Sequence, residues 1–178
     1  MLRSALRART SAIHHQLDMA TGQFDSVVTY ASFVQKTHRF RSALEQSLVS
    51  DQDDGWKVDE ISPLIALDLV DLGTEMPLPA TFTPSPWTKW SRLGAHYVLE
   101  GSSIGARLLV HRAEALGLSM QFGARHLSYQ AVRHDRWRAF LSELEAIPIE
   151  MYDQALDAAE STFRFALSVY SEAADERA

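Results

Sequence analysis

The chain has 178 residues, 46% of them apolar, with seven His, no Cys and a formal charge of −6. That length fits one globular domain over residues 1–178 and excludes a multidomain enzyme. Without Cys there is no disulfide, thiolate metal site, iron–sulfur cluster or thiol nucleophile, and the surplus of 23 acidic over 17 basic residues argues against nucleic-acid binding.

Apolar residues recur at three and four positions through most of the sequence, so an all-α fold is expected. The opening MLRSALRARTSAIHHQLDM is charged where a secretion signal needs an apolar run. No stretch approaches the roughly 20 apolar residues of a membrane span, so the reading is cytoplasmic, with no membrane partner. A first helix over 2–18 places Leu2, Leu6, Ile13 and Leu17 on one stripe. A second starts near Thr29 as N-cap and turns Phe33, Thr37, Phe40, Leu44 and Leu48 inward, and the polar run 50–55 ends the pattern. A third covers about 59–72, with Pro63 in its first turns and Gly73 as its stop. Residues 74–86 hold four of the six Pro and predict an irregular connection within one shared core. A long helix follows Pro86 to about Leu116, then a loop over 117–123 and two more helices over about 130–146 and 149–173.

The long helix contains GAHYVLEGSSIGARLL, with Gly101 and Gly105 in its interior. Each costs about 1 kcal/mol of helix propensity relative to Ala. Four residues apart, they share a face with Val98 and Leu108 and leave a strip of bare backbone that also permits a kink. Two readings fit: close helix–helix packing, or a flat ligand lying on the backbone, with the Ser102 and Ser103 hydroxyls placing ordered water beside it.

On the first helix Arg7, Thr10, His14 and Leu17 form a stripe bordering the apolar face, so His14 looks toward the bundle and His15 toward solvent. A single neutral imidazole facing an apolar cleft is a competent haem ligand, and equally a half-buried His satisfied by a carbonyl. His38, with Lys36, Arg39 and Arg41, reads as a solvated face. His111, His126 and His134 lie in Arg-rich surroundings, and His96 precedes the glycines on their own helix. No HExxH, carboxylate-rich His cluster or GxSxG elbow is present, so zinc, two-metal and Ser–His–Asp hydrolase chemistries lack their residues.

These residues resemble the haem oxygenases, and more closely the bacterial, bacteriophytochrome-associated, biliverdin-producing branch. LRARTSAIHHQLD (6–18) is similar to the family's leading pattern of Thr, three residues, His, then Leu and an acid. YVLEGSSIGARLL (97–109) resembles its distal helix. ALDLVDLG (66–73), RWRAFLSELEAIP (136–148) and TFRFA (162–166) resemble further stretches, in order along most of the chain. The resemblance implies a single-domain helical bundle with haem between a proximal and a kinked distal helix. It makes His14 the axial iron ligand, with Thr10 in its expected place, and sets Gly101 and Gly105 over the haem face. Val98 and Phe163 become pocket residues, and Arg7 and Arg138 propionate partners, with Arg133 and Arg136 as alternatives. Many members carry an acid where this chain has Ser102, so water held by hydroxyl and backbone is expected to serve there, and Ala106 replaces a further Gly.

The implied activity is haem cleavage by O2 and external electrons to biliverdin, carbon monoxide and ferrous iron. Haem is then both cofactor and substrate. A ferredoxin or reductase would supply electrons, and a bacteriophytochrome would receive biliverdin. A non-degrading haem carrier or sensor, or a protein of this fold binding another planar ligand, are the alternative readings.

Overall fold

The computed structural model describes residues 1–49, 55–84 and 86–172. All regular elements there are helical: α1 (Leu2–Thr21), α2 (Val27–Val49), α3 (Ser62–Asp71), α4 (Lys89–Ala115), α5 (Arg125–Ala131), α6 (His134–Glu145) and α7 (Tyr152–Ser171), the last preceded by one 3₁₀ turn. Among the described residues, no helix is long and apolar enough to cross a membrane.

Helix α7 is the spine of the packing, laid against both α1 and α4. One apolar cluster joins α2, α3 and α5 to α4 and α7 around Tyr30, Leu44, Ile65, Leu69 and Val169. The other joins α1 and α6 to α4 and α7 around Leu2, Leu6, Phe140, Leu144 and Ala159. Leu17 packs against both, so α1 closes the two clusters at its C-terminal end.

Several boundaries differ from the sequence expectation for identifiable reasons. Thr29 does not cap α2. Ser26 does, accepting from Thr29 N while Thr29 Oγ1 accepts from Ser26 N, each at 3.2 Å, so the reciprocal box moves the start three residues back. Helix α3 starts at Ser62 rather than near Asp59, because the Glu45 carboxylate reaches across from α2 and accepts from Ile61 N and Ser62 N, both at 3.1 Å. The stretch expected to be one helix over 130–146 is two. Helix α5 begins at Arg125, where Asp68 of α3 accepts from Arg125 N and His126 N at 3.0 and 3.1 Å. The break before α6 falls at 132–133. Helix α4 runs uninterrupted through both interior glycines, and Thr88 with Ser91 caps its start reciprocally. Most of the expected break over 50–55, and the far end of the last helix at Ala173, lie outside the described residues.

The proline-rich connection is irregular, as expected, but it is anchored. Arg39 O accepts from Ala80 N at 3.3 Å, Gln35 donates to Glu75 O, and Phe82 stacks on Phe165 of α7 with centroids 4.5 Å apart. The solvated face expected around His38 is corrected too. Arg41 is 4% exposed and bonds Glu45 at 2.7 Å, and His38 Nδ1 is buried. The i,i+4 Arg–Glu spacing that would decorate a surface helix here ties α2 to the α3 cap inside the protein.

Candidate functional site

Of the two glycines expected to form the strip, Gly105 packs against no other helix and Gly101 faces only a side chain of α6. A Cβ on Gly105 would meet nothing within 4 Å, and one on Gly101 would meet only the Trp137 ring, at 3.9 Å. Ile104 and Leu108 beside them are exposed, so the C-terminal half of α4 presents a wide apolar face with bare backbone in it. Close packing belongs to a different glycine: a Cβ on Gly94 would stand 2.1 Å from the Ala155 carbonyl oxygen of α7. The α4–α7 contact is built there, a turn and more before the open strip.

His14 leaves α1 on the same side of the molecule as the second apolar cluster. Its ring meets Phe163 of α7 edge-on, centroids 5.5 Å apart, and its side chain is 57% exposed. Nδ1 stands 3.5 Å from the Asp18 carboxylate one turn on. One turn before His14, Thr10 is buried and returns its hydroxyl to Leu6 O at 2.8 Å. The Tyr97 phenol of α4 lies beside Thr10 and near Arg3 and Arg7. Burial raises its pKa, opposed by those two guanidinium groups and by Thr10. Tyr97 also faces Trp137 of α6, centroids 6.0 Å apart. Contacts therefore run from His14 to Phe163, and from Thr10 through Tyr97 and Trp137 to Gly101. They link α1 to α7 through His14 and Phe163, and α1 to α4 and α6 through Thr10, Tyr97 and Trp137.

The remaining expected site residues are placed as follows. Val98 is buried in the second apolar cluster. Ser102 Oγ donates to Leu99 O at 2.6 Å and accepts from Gln130 Nε2 at 2.9 Å, so its proton is already committed. Arg7 is exposed, with no carboxylate in ion-pair reach among the described residues. Arg138 is exposed and pairs only with its helix neighbour Asp135, at 2.5 Å. Arg133 and Arg136 turn to Asp59, and Arg136 also to Glu100, so carboxylates already hold both guanidinium groups, although Arg133 stays 37% exposed. Sequence reasoning missed Tyr97, Trp137 and Asp18. Tyr97 lies one turn before Gly101 and Asp18 one turn after His14, so the helical period that singled out the glycines could have found both.

An empty strip of backbone, an imidazole with a carboxylate on its inner nitrogen and a lining of aromatic rings fit a flat iron porphyrin. A Cβ at either glycine would fill the cradle. Among the described residues, no three His, Asp or Glu side chains converge as a metal cage.

No family model matches the chain. Over 93 residues it is 34% identical to the haem oxygenase PigA of Pseudomonas aeruginosa, a match covering 51% of this chain and 47% of that one, so it spans about half that relative's length. Over 121 residues it is 26% identical to a haem oxygenase of Xanthomonas campestris, covering 66% of this chain and 72% of the relative. The fold matches the NO- and CO-bound haem oxygenase of Neisseria meningitidis with a TM-score of 0.76 at 26% identity, over 98% of this chain and 94% of that structure. Nearly the whole chain is therefore similar in fold to one haem oxygenase, and parts of it are similar in sequence to two others.

Proposed function

We propose that the chain is a haem oxygenase, with haem as the substrate that O2 and external electrons open to biliverdin, carbon monoxide and ferrous iron. The observation that carries this reading is the open space at Gly105. Gly101 and Gly105 lower the stability of a 27-residue helix, and at Gly105 no neighbour within 4 Å of a Cβ returns that cost. A ligand that needs the bare backbone accounts for them.

Bound haem supplies the iron at which O2 is activated; the chain supplies placement. His14 Nε2 holds the iron from the α1 side, with Asp18 fixing the tautomer and ring direction. Arg7, with the neighbouring Tyr97 hydroxyl, receives a propionate at the α1 edge, and Arg138 on α6 receives the other by leaving Asp135. This pairing sets the rotation of the ring, and rotation decides which meso carbon lies under the strip. Gly101 and Gly105 keep the opposite face so shallow that only a small ligand fits, and Trp137 bounds it near Gly101. Ser102, whose proton goes to Leu99 O, serves as an acceptor that holds water rather than as an acid.

Electrons come from a ferredoxin or reductase, as the resemblance to the family implies. Delivery of biliverdin to a bacteriophytochrome is the role suggested by the branch the motifs resemble. Titration of the protein with haem tests the binding half of the proposal: the expected result is a one-to-one complex with the spectrum of histidine-ligated iron, altered in His14→Ala. Absence of any haem spectrum would favour a different planar ligand.

A further inference from the structure

Ser102 is exposed and stands about 60° round α4 from Gly105, at the border of the open strip. A hydroxyl has one proton to give and two lone pairs with which to receive. The Ser102 proton goes to Leu99 O at 2.6 Å, and one lone pair is filled by Gln130 Nε2 of α5 at 2.9 Å. One lone pair is left. The bond to Leu99 O is the ordinary return of a helical Ser to its own helix. The bond from Gln130 is delivered by a different helix, and that helix is held at both ends. Asp68 of α3 accepts from Arg125 N and His126 N at its start, and Gln130 O accepts from Arg133 N at 3.1 Å where it stops. Between the ends, Leu127 is buried in one apolar cluster with Leu99, Ala106 and Val110 of α4.

Gln130 itself is 9% exposed, and burying an amide costs free energy that an apolar side chain at the same place would not incur. Its hydrogen bond offsets that cost only by engaging Ser102. The last turn of α5 therefore acts on one hydroxyl beside the glycines.

We infer that Gln130 is a positioning residue for the strip: its amide keeps the Ser102 proton turned to Leu99 O and leaves Ser102 a single fixed acceptor for water. The inference deepens the haem oxygenase reading and rests on it. Water that gives one hydrogen to Ser102 is held in one direction, with its second hydrogen free to face the strip. Without the amide the hydroxyl has two open lone pairs and can turn its proton away from Leu99 O, so water has several ways to bind. A proton source then loses its direction while keeping its place.

The bond is read first in the haem-free chain, from the side-chain amide resonances of isotopically labelled protein, a sparse spectrum because the chain has eight Gln and no Asn. Ser102→Ala is expected to shift the Gln130 amide pair and leave the other Gln pairs in place. This readout alters only an exposed position, so it stands whether or not Gln130 variants fold. With haem bound, Gln130→Met keeps the bulk and loses the donor. It is expected to lower kcat about tenfold, the rate equivalent of one net hydrogen bond, with haem affinity unchanged. Adding Ser102→Ala to Gln130→Met is expected to cost nothing more, because both changes remove one device. A side chain that only packed would lower the unfolding midpoint and haem affinity, and its effect on kcat would add to that of Ser102→Ala. A Gln130 amide pair unmoved by Ser102→Ala, an undiminished kcat in Gln130→Met, or losses that add in the double variant would overturn the inference while leaving the haem reading intact. An unaltered chain that bound no haem would overturn that reading and the role in turnover together.

Discussion

The Ala155 carbonyl of α7 and the bare Cα of Gly94 on α4 are in direct contact, leaving no room for a methyl group between the two helices. Gly94→Ala therefore has to push α4 and α7 apart along the best-packed contact of the fold. A loss of about 3 kcal/mol in unfolding free energy is expected, measured by urea denaturation. A loss under about 0.5 kcal/mol would show that the contact yields easily.

Gly105 makes the opposite case within the same helix. Its surroundings are open, so Gly105→Ala should raise the stability of the haem-free protein by up to about 1 kcal/mol through helix propensity alone. The same methyl group projects into the cleft, so haem turnover should fall, and fall further in Gly105→Leu. A gain in stability with undiminished turnover would leave the strip without the function proposed for it.

Asp68 is fully buried, bonded to His126 Nδ1 at 2.7 Å and to the first N–H groups of α5. Burial pushes its carboxyl up, but the hydrogen bond and charge of His126 and the two backbone N–H groups outweigh it and hold the pKa below the ordinary range. A depressed carboxylate contributes stability that is present above its unfolded pKa, near 3.9, and is lost as pH falls through the folded value. Asp68→Asn should cost about 3 kcal/mol at pH 7, with the gap to wild type narrowing below about pH 4. A gap independent of pH would mean that the charge is not what caps α5.

His96 governs a different pH window. Its folded pKa is lowered to about 3, first by burial and then by Arg92, Arg136 and Arg41. Below the unfolded value near 6.5 the unfolded chain takes up a proton that the folded chain refuses, so stability drops as pH falls from about 6.5 toward 3. By pH 5 the loss should reach about 2 kcal/mol, measured by urea denaturation across this pH range. His96→Met should flatten that limb while leaving the Asp68 transition below pH 4. An unchanged slope between pH 6.5 and 5 would exonerate His96.

The helical class, the order of the long helices and the irregularity of the proline-rich connection were legible from apolar period and punctuation, but the anchoring of that connection was not. The bare strip at Gly101 and Gly105 was legible as one of two readings, whereas the edge-on contact of His14 with Phe163 was not. The starts of α3 and α5 were not, because their caps, Glu45 and Asp68, come from other helices at separations of 16 and 57 residues. No local pattern encodes a cap delivered through tertiary structure. Arg41 was misread for a related reason: an Arg–Glu pair four apart has the same appearance on a surface and in a core, and only the neighbouring helices decide. Gly94 and Gly105 carry identical letters and opposite roles, separated by whether α7 lies against them.

The proposal that His14 and the glycine strip enclose haem for cleavage is tested most directly by adding haem to the full chain, then O2 and a reductant, and following the haem absorption. It predicts conversion to biliverdin with release of iron, lost in His14→Ala, restored in part by added imidazole, and retained in His15→Ala. Haem that binds but persists under turnover conditions, or His14→Ala degrading haem as the wild type does, would contradict it.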